Sequence, residues 1–152
     1  MHARKMSSRR RAATVVECAI VYPVLFLFLI GLAVGGAGIF RYQEVSSLAR
    51  EAARYASTHG AQYRQDTGQT VGDPTVWSTD IYNNSISPNA VALDPSSLNY
   101  TCTWPAVINQ PDKSDNWPGS QVTVTVTYQW FPEIFLIGPI NLSSTSSMPI
   151  TN

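Results

Sequence analysis

From Cys18 to Phe40 the chain carries no charged residue. At about 1.5 Å per helical residue this run reaches about 35 Å, which matches a hydrocarbon core of about 30 Å with some tilt. A helix in a soluble core normally keeps one polar face. Val24-Leu25-Phe26-Leu27-Phe28-Leu29-Ile30 is apolar all round. The run therefore predicts a membrane-spanning helix and weighs against a free-standing soluble enzyme.

Charge gives the orientation. The 10 Lys and Arg residues balance the 10 Asp and Glu residues, for a formal net charge of 0. Their distribution is uneven. Arg4, Lys5, Arg9, Arg10 and Arg11 precede the run, and the chain beyond it is acidic. Basic residues beside a membrane helix stay cytoplasmic. The expectation is a single pass through the inner membrane, with a cytoplasmic N-terminus and a periplasmic or extracellular C-terminal part. A nucleic-acid partner is not expected, because an apolar span follows the basic cluster at once and the remainder is acidic. A cleaved secretory signal is the competing reading, with Ala33-Val34-Gly35 or Gly35-Gly36-Ala37 as the small-residue site. The run exceeds the usual signal length, and the helical pattern continues past it.

Inside the run, Pro23 removes a backbone donor and marks a kink that membrane helices tolerate. Gly31 and Gly35 form a small-xxx-small pair, and Gly36, Gly38, Ala33 and Ala37 extend it. Such a face lets helices approach closely, although glycine is also simply common in membrane helices. After Phe40, Tyr42, Val45, Leu48 or Ala49, Ala52 and Tyr55-Ala56 recur at helical spacing, up to a terminator at Gly60. One helix of roughly Val15 to His59 is expected, its outer half amphipathic.

The expected organisation is a basic leader over 1–12, a transmembrane and extended helix over 13–59, and an exported domain over 60–152. Gly60 to Asp80 reads as loop, and a short strand or helix is expected within Trp77 to Ile86. Gln121 to Trp130 alternates Val, Val, Val, Tyr and Trp against Thr and Gln, the mark of a half-buried strand. Leu98, Tyr100, Cys102 and Trp104 repeat that alternation, Asp112 to Gly119 reads as a long turn, and Ile140 to Met148 offers a third strand. The fold class expected is α+β: a long N-terminal helix extending into a small antiparallel-sheet exported domain. Phe131 to Pro139 is either an exposed apolar contact loop or a segment buried under the sheet.

No catalytic constellation is present in the sequence. His2 and His59 cannot form a metal pair, and neither cysteine has an activating base nearby. The aspartates lack calcium-loop spacing, and no phosphate loop follows a strand. No enzyme activity, cofactor, metal or small-molecule substrate is expected. Cys18 and Cys102 lie on opposite sides of the expected membrane, too far apart to bridge. Cys102 is then either a half-buried strand residue or the half of an intermolecular disulfide.

Arg9-Arg10-Arg11-Ala12-Ala13-Thr14-Val15-Val16-Glu17, a basic tract followed by a glutamate opening an apolar helix, resembles the type IV prepilin class. Through Cys18-Ala19-Ile20-Val21-Tyr22-Pro23 the resemblance narrows to the TadE-like proteins of tight-adherence pilus systems. Ala49-Arg50-Glu51-Ala52-Ala53-Arg54-Tyr55-Ala56 agrees, and Val122 to Tyr128 agrees more weakly. The resemblance implies a pseudopilin-like protein cut by a prepilin peptidase between Ala12 and Ala13. Glu17 would then be near the new N-terminus and set subunit register, paired with the Ala13 amine of a neighbour. It implies other pilin-like subunits and pilus assembly components as partners, beside the membrane itself. Ala12 stands where prepilins usually have glycine, and Cys18 where the family usually has phenylalanine. The alternative is an uncleaved single-span anchor presenting a surface binding module with no pilus role. A secreted enzyme, freed by cleavage beyond Phe40, is the third reading.

Overall fold

The computed structural model describes residues 6–69, 74–104, 116–132 and 138–152, with the side chains of 6–13, 74 and 75 left aside. The architecture is α+β, a long apolar N-terminal helix followed by a small antiparallel sheet. The first helix, α1, spans Met6–Thr58. It begins ahead of the expected Val15, because Met, Arg and Ala are all strong helix formers. The chain divides within α1 into two compact units, Met1–Ala37 and Gly38–Asn152.

In the second unit, α1 has one buried stripe: Val45, Leu48, Ala49, Ala52, Ala53 and Ala56. Steps of three and four put these side chains on one face. Tyr42, expected in the stripe, is 48 % exposed, so the stripe starts one turn later. Most members are alanines, which suits a close approach of backbone to sheet. Gly38 takes the same logic further. A Cβ there would come within 2.7 Å of the Trp130 indole. This glycine makes room for the sheet's largest side chain.

The sheet has three strands in the order β1-β2-β3, with β1 at Leu98–Thr103, β2 at Gln121–Trp130 and β3 at Ile140–Pro149. Both pairings are antiparallel, with Tyr100 opposite Val126 and Val126 opposite Ser144. Alternation along β2 buries Val122, Val124, Val126, Tyr128 and Trp130. Each fully buried valine contributes on the order of 1.5–3 kcal/mol. The opposite face is hydroxyl-rich, and cross-strand contacts join Thr123 to Ser147, Thr125 to Thr145 and Thr127 to Ser143 at 2.7, 2.9 and 3.2 Å.

The expected loop from Gly60 to Asp80 is instead partly helical. A short α2 covers Ala61–Asp66, and α3 covers Pro74–Ile81, followed by a π-helical turn at Tyr82–Ile86 and one turn of helix, α4, at Ser87–Asn89. Tertiary burial overrides a weak local pattern here. Ala61 and Arg64 are buried on α2, and Trp77 and Ile81 are buried one turn apart on α3. Pro74 opens α3, a position where its missing N–H costs nothing. The choice between strand and helix within Trp77 to Ile86 resolves as helix.

α1 ends where expected, but for a different reason. Gly60 has φ −77° and ψ −166°, an extended conformation rather than a left-handed cap. Its N–H donates to the Asn152 carbonyl at 2.8 Å, and the Ala61 N–H donates to the Asn116 carbonyl at 2.9 Å. Thr151 N–H donates to the Ser57 carbonyl at 2.9 Å, satisfying an end-of-helix acceptor. The C-terminal segment thus closes the end of α1. Of the expected turn at Asp112 to Gly119, residues 112–115 lie outside the described residues, and Gly119 sits at φ +92°. Of Phe131 to Pro139, Phe131 is exposed and Pro132 buried, while 133–137 lie outside the described residues.

Candidate functional site

Among the described residues, the first unit is a helix surface without an apolar partner. From Val15 to Leu32 its large apolar side chains other than half-buried Ile30 are 50 to 68 % exposed, on every side of the helix. At about 25 cal/mol per Å² of apolar surface, water is a poor environment for such a helix. Lipid or another helix must cover it. Among the described residues, one helix is long and apolar enough to cross a membrane. This supports single-pass anchoring.

Three features mark that surface. Glu17 is exposed near its N-terminal end, with half-buried Cys18 beside it. A shallow apolar groove next to Pro23 is lined by Ile20, Val21, Val24, Leu25 and Phe28. Further along, an added Cβ at Gly31, Gly35 or Gly36 would meet nothing within 4 Å. The space over these glycines is open to a neighbouring helix. The fourth glycine of the series, Gly38, belongs to the Trp130 contact instead. The side chains of Ala12 and Ala13 lie outside the described residues, and their backbone is helical.

Two residues beyond the apolar run do more than the sequence suggested. Arg41 donates from one guanidinium nitrogen to the Ala92 carbonyl at 3.1 Å and to the Tyr128 hydroxyl at 3.3 Å. One turn on, a Glu44 carboxylate oxygen accepts from the Ala92 N–H at 2.8 Å. Together they hold both backbone groups of one residue, fixing the loop before Leu93 to α1. The only signal in the sequence is an opposite-charge pair three apart, directly after the uncharged run.

Cys102 is half-buried on β1, and burial pushes its thiol up to about 11 despite a hydrogen bond with Ser78. Little thiolate is therefore present near neutrality, which slows disulfide exchange. Its position agrees with the half-buried strand reading. Cys18 is also a free thiol. His59 Nδ1 lies 3.0 Å from both the Tyr55 carbonyl and the Thr58 hydroxyl, within its own helix end. Among the described residues, no three His, Cys, Asp or Glu side chains are grouped to hold a metal ion.

Residues 12–54 match the family model described as TadE-like protein. The matched stretch begins at Ala12 and takes in Glu17, the whole apolar run and most of the buried stripe of α1. The resemblance drawn from the N-terminal residues is borne out over this stretch. No curated protein and no solved structure matches the chain.

Proposed function

We propose that this protein is a minor pilin-like subunit that supports assembly of a tight-adherence pilus. The observation that carries the reading is the TadE-like match over 12–54, which coincides with an all-round exposed apolar helix headed by Glu17. The helix is the working part. It enters the membrane with its N-terminus cytoplasmic and its sheet domain on the far side. A prepilin peptidase cuts between Ala12 and Ala13. Glu17 then lies in the first turns of the mature helix, where an anion is favoured by the dipole but disfavoured by hydrocarbon. The amine of Ala13 on a neighbouring subunit supplies the missing partner and sets axial register. Gly31 and Gly35 bring neighbouring helices close enough for dispersion to hold them. The reading is structural rather than enzymatic, as the TadE-like family is.

The test is a helix exchange in a strain deleted for this chain. The wild-type chain is expected to restore surface fibres and adhesion. A chain whose residues 14–37 are replaced by an unrelated apolar helix of equal length is expected to reach the membrane and restore neither. Full restoration by the exchanged chain would contradict the reading and favour a membrane-anchored binding module, in which any span suffices.

A further inference from the structure

At the end of α1 a polar cleft of about 220 Å³ opens, walled by α2 and α3. One wall is aromatic. The Tyr55 and His59 rings stack at 4.0 Å and 10°, and Tyr63 meets His59 edge-on at 4.5 Å. The other wall is polar. Arg64 is only 4 % exposed, and it donates from a terminal nitrogen to Asp80 Oδ2 at 2.6 Å. Its Nε is buried without a hydrogen-bond partner among the described residues. Asp80 itself is 37 % exposed at the side chain. Asn84 is exposed at the rim and donates its amide to the Asp80 carbonyl at 2.9 Å, which leaves its own oxygen to accept.

We propose that this cleft binds one neutral sugar ring. Three physical points favour that ligand over others. First, Arg64 and Asp80 cancel each other's charge, so neither an anion nor a cation meets an uncompensated partner. An apolar ligand, in turn, would leave both groups desolvated. Second, a pyranose has an apolar C–H face and a rim of vicinal hydroxyls that both donate and accept. Tyr55, His59 and Tyr63 supply aromatic surface. The part-exposed Asp80 carboxylate and the Asn84 amide oxygen supply planar acceptors, and the buried Arg64 guanidinium holds Asp80 in place. Burial, with Asp80 second, raises the Tyr55 phenol, so it stays a neutral donor across the physiological range. Third, the cleft is smaller than the roughly 300–1,000 Å³ of pockets for drug-sized ligands, which suits a single ring. The site is independent of the pilus reading, since all of its lining residues lie outside the matched stretch 12–54.

The test uses the full chain in lauryldimethylamine oxide micelles, because maltoside detergents carry the proposed ligand. Glucose, galactose and N-acetylglucosamine are titrated by calorimetry, with tryptophan fluorescence as a second readout, since Trp77 lies 6.0 Å from the Arg64 guanidinium carbon. Saturable binding of at least one sugar is expected, with a dissociation constant on the order of 1 mM. Asn84→Ala, at an exposed rim position, is expected to weaken it by about tenfold without moving the melting temperature. Tyr63→Ala is expected to weaken it as well. Absence of saturable binding by all three sugars would overturn the proposal. So would sugar binding that Asn84→Ala and Tyr63→Ala both leave unchanged, or equal occupation of the cleft by glycine or inorganic phosphate.

Discussion

Gly60→Ala is expected to lower the melting temperature of the extracted protein by about 10 °C or more. The position has an ordinary φ, so the effect is not backbone strain. It is collision. The new Cβ would meet the Asn152 carbonyl oxygen, the Ile150 Cγ2 at 2.6 Å and the Asn116 carbonyl oxygen at 2.9 Å. Two of these three atoms are backbone acceptors already bonded to the N–H groups of Gly60 and Ala61. They can retreat only by stretching those bonds. Overpacking costs about 1–3 kcal/mol, and each weakened buried hydrogen bond adds about 1 kcal/mol. The control is Gly35→Ala, where the added methyl meets nothing within 4 Å. Its melting temperature is expected to stay within error of wild type. Thermal unfolding followed by tryptophan fluorescence distinguishes the two, because Trp77, Trp104, Trp117 and Trp130 all lie in the second unit.

Glu17→Ala is expected to abolish fibre assembly while leaving membrane insertion and the melting temperature unchanged. The residue is exposed about three turns into α1, remote in sequence from the sheet domain, so the fold does not depend on it. Removing a carboxylate from the edge of hydrocarbon eases insertion, if anything. A plain anchor would therefore tolerate the change or benefit from it. An intersubunit pair would not. Breaking such a pair in a low-dielectric setting costs about 3–5 kcal/mol, which weakens each subunit contact by more than about a hundredfold. Fibres counted by electron microscopy, beside membrane-fraction blots, separate the two readings. Normal fibres from Glu17→Ala would remove the register role.

How much of this was legible in the sequence depended on whether the signal was local. The apolar run and the Val-Thr alternation of β2 carry their own periodicity, and both elements appear where the spacing placed them. β3 is poorer in apolar residues, yet pairing with β2 along its length fixes it. α2 was not legible and α3 was legible only as a short strand or helix from Trp77 on, because each is shorter than the window over which a helical period can be seen. Pro74 followed one turn later by Trp77 and Ile81 was the available cue. Gly38 reads in sequence like Gly31 and Gly35. Only the fold reveals that Trp130, far along the chain, takes its space. The grip of Arg41 and Glu44 on Ala92 was invisible for the same reason: the partner is a backbone group about fifty residues away. The pair of buried Arg64 and part-exposed Asp80 likewise joins α2, which the sequence did not reveal, to α3, which it left open between strand and helix.

The proposed role rests most heavily on processing ahead of Ala13, because the free amine of Ala13 is the partner that Glu17 requires. The direct measurement is the intact mass of the membrane-extracted protein from cells with and without the prepilin peptidase. A chain beginning at Ala13 when the peptidase is present, and at the original N-terminus when it is absent, is the predicted result. A full-length chain in both strains would contradict it, leaving Glu17 without its partner and the protein an uncleaved anchor.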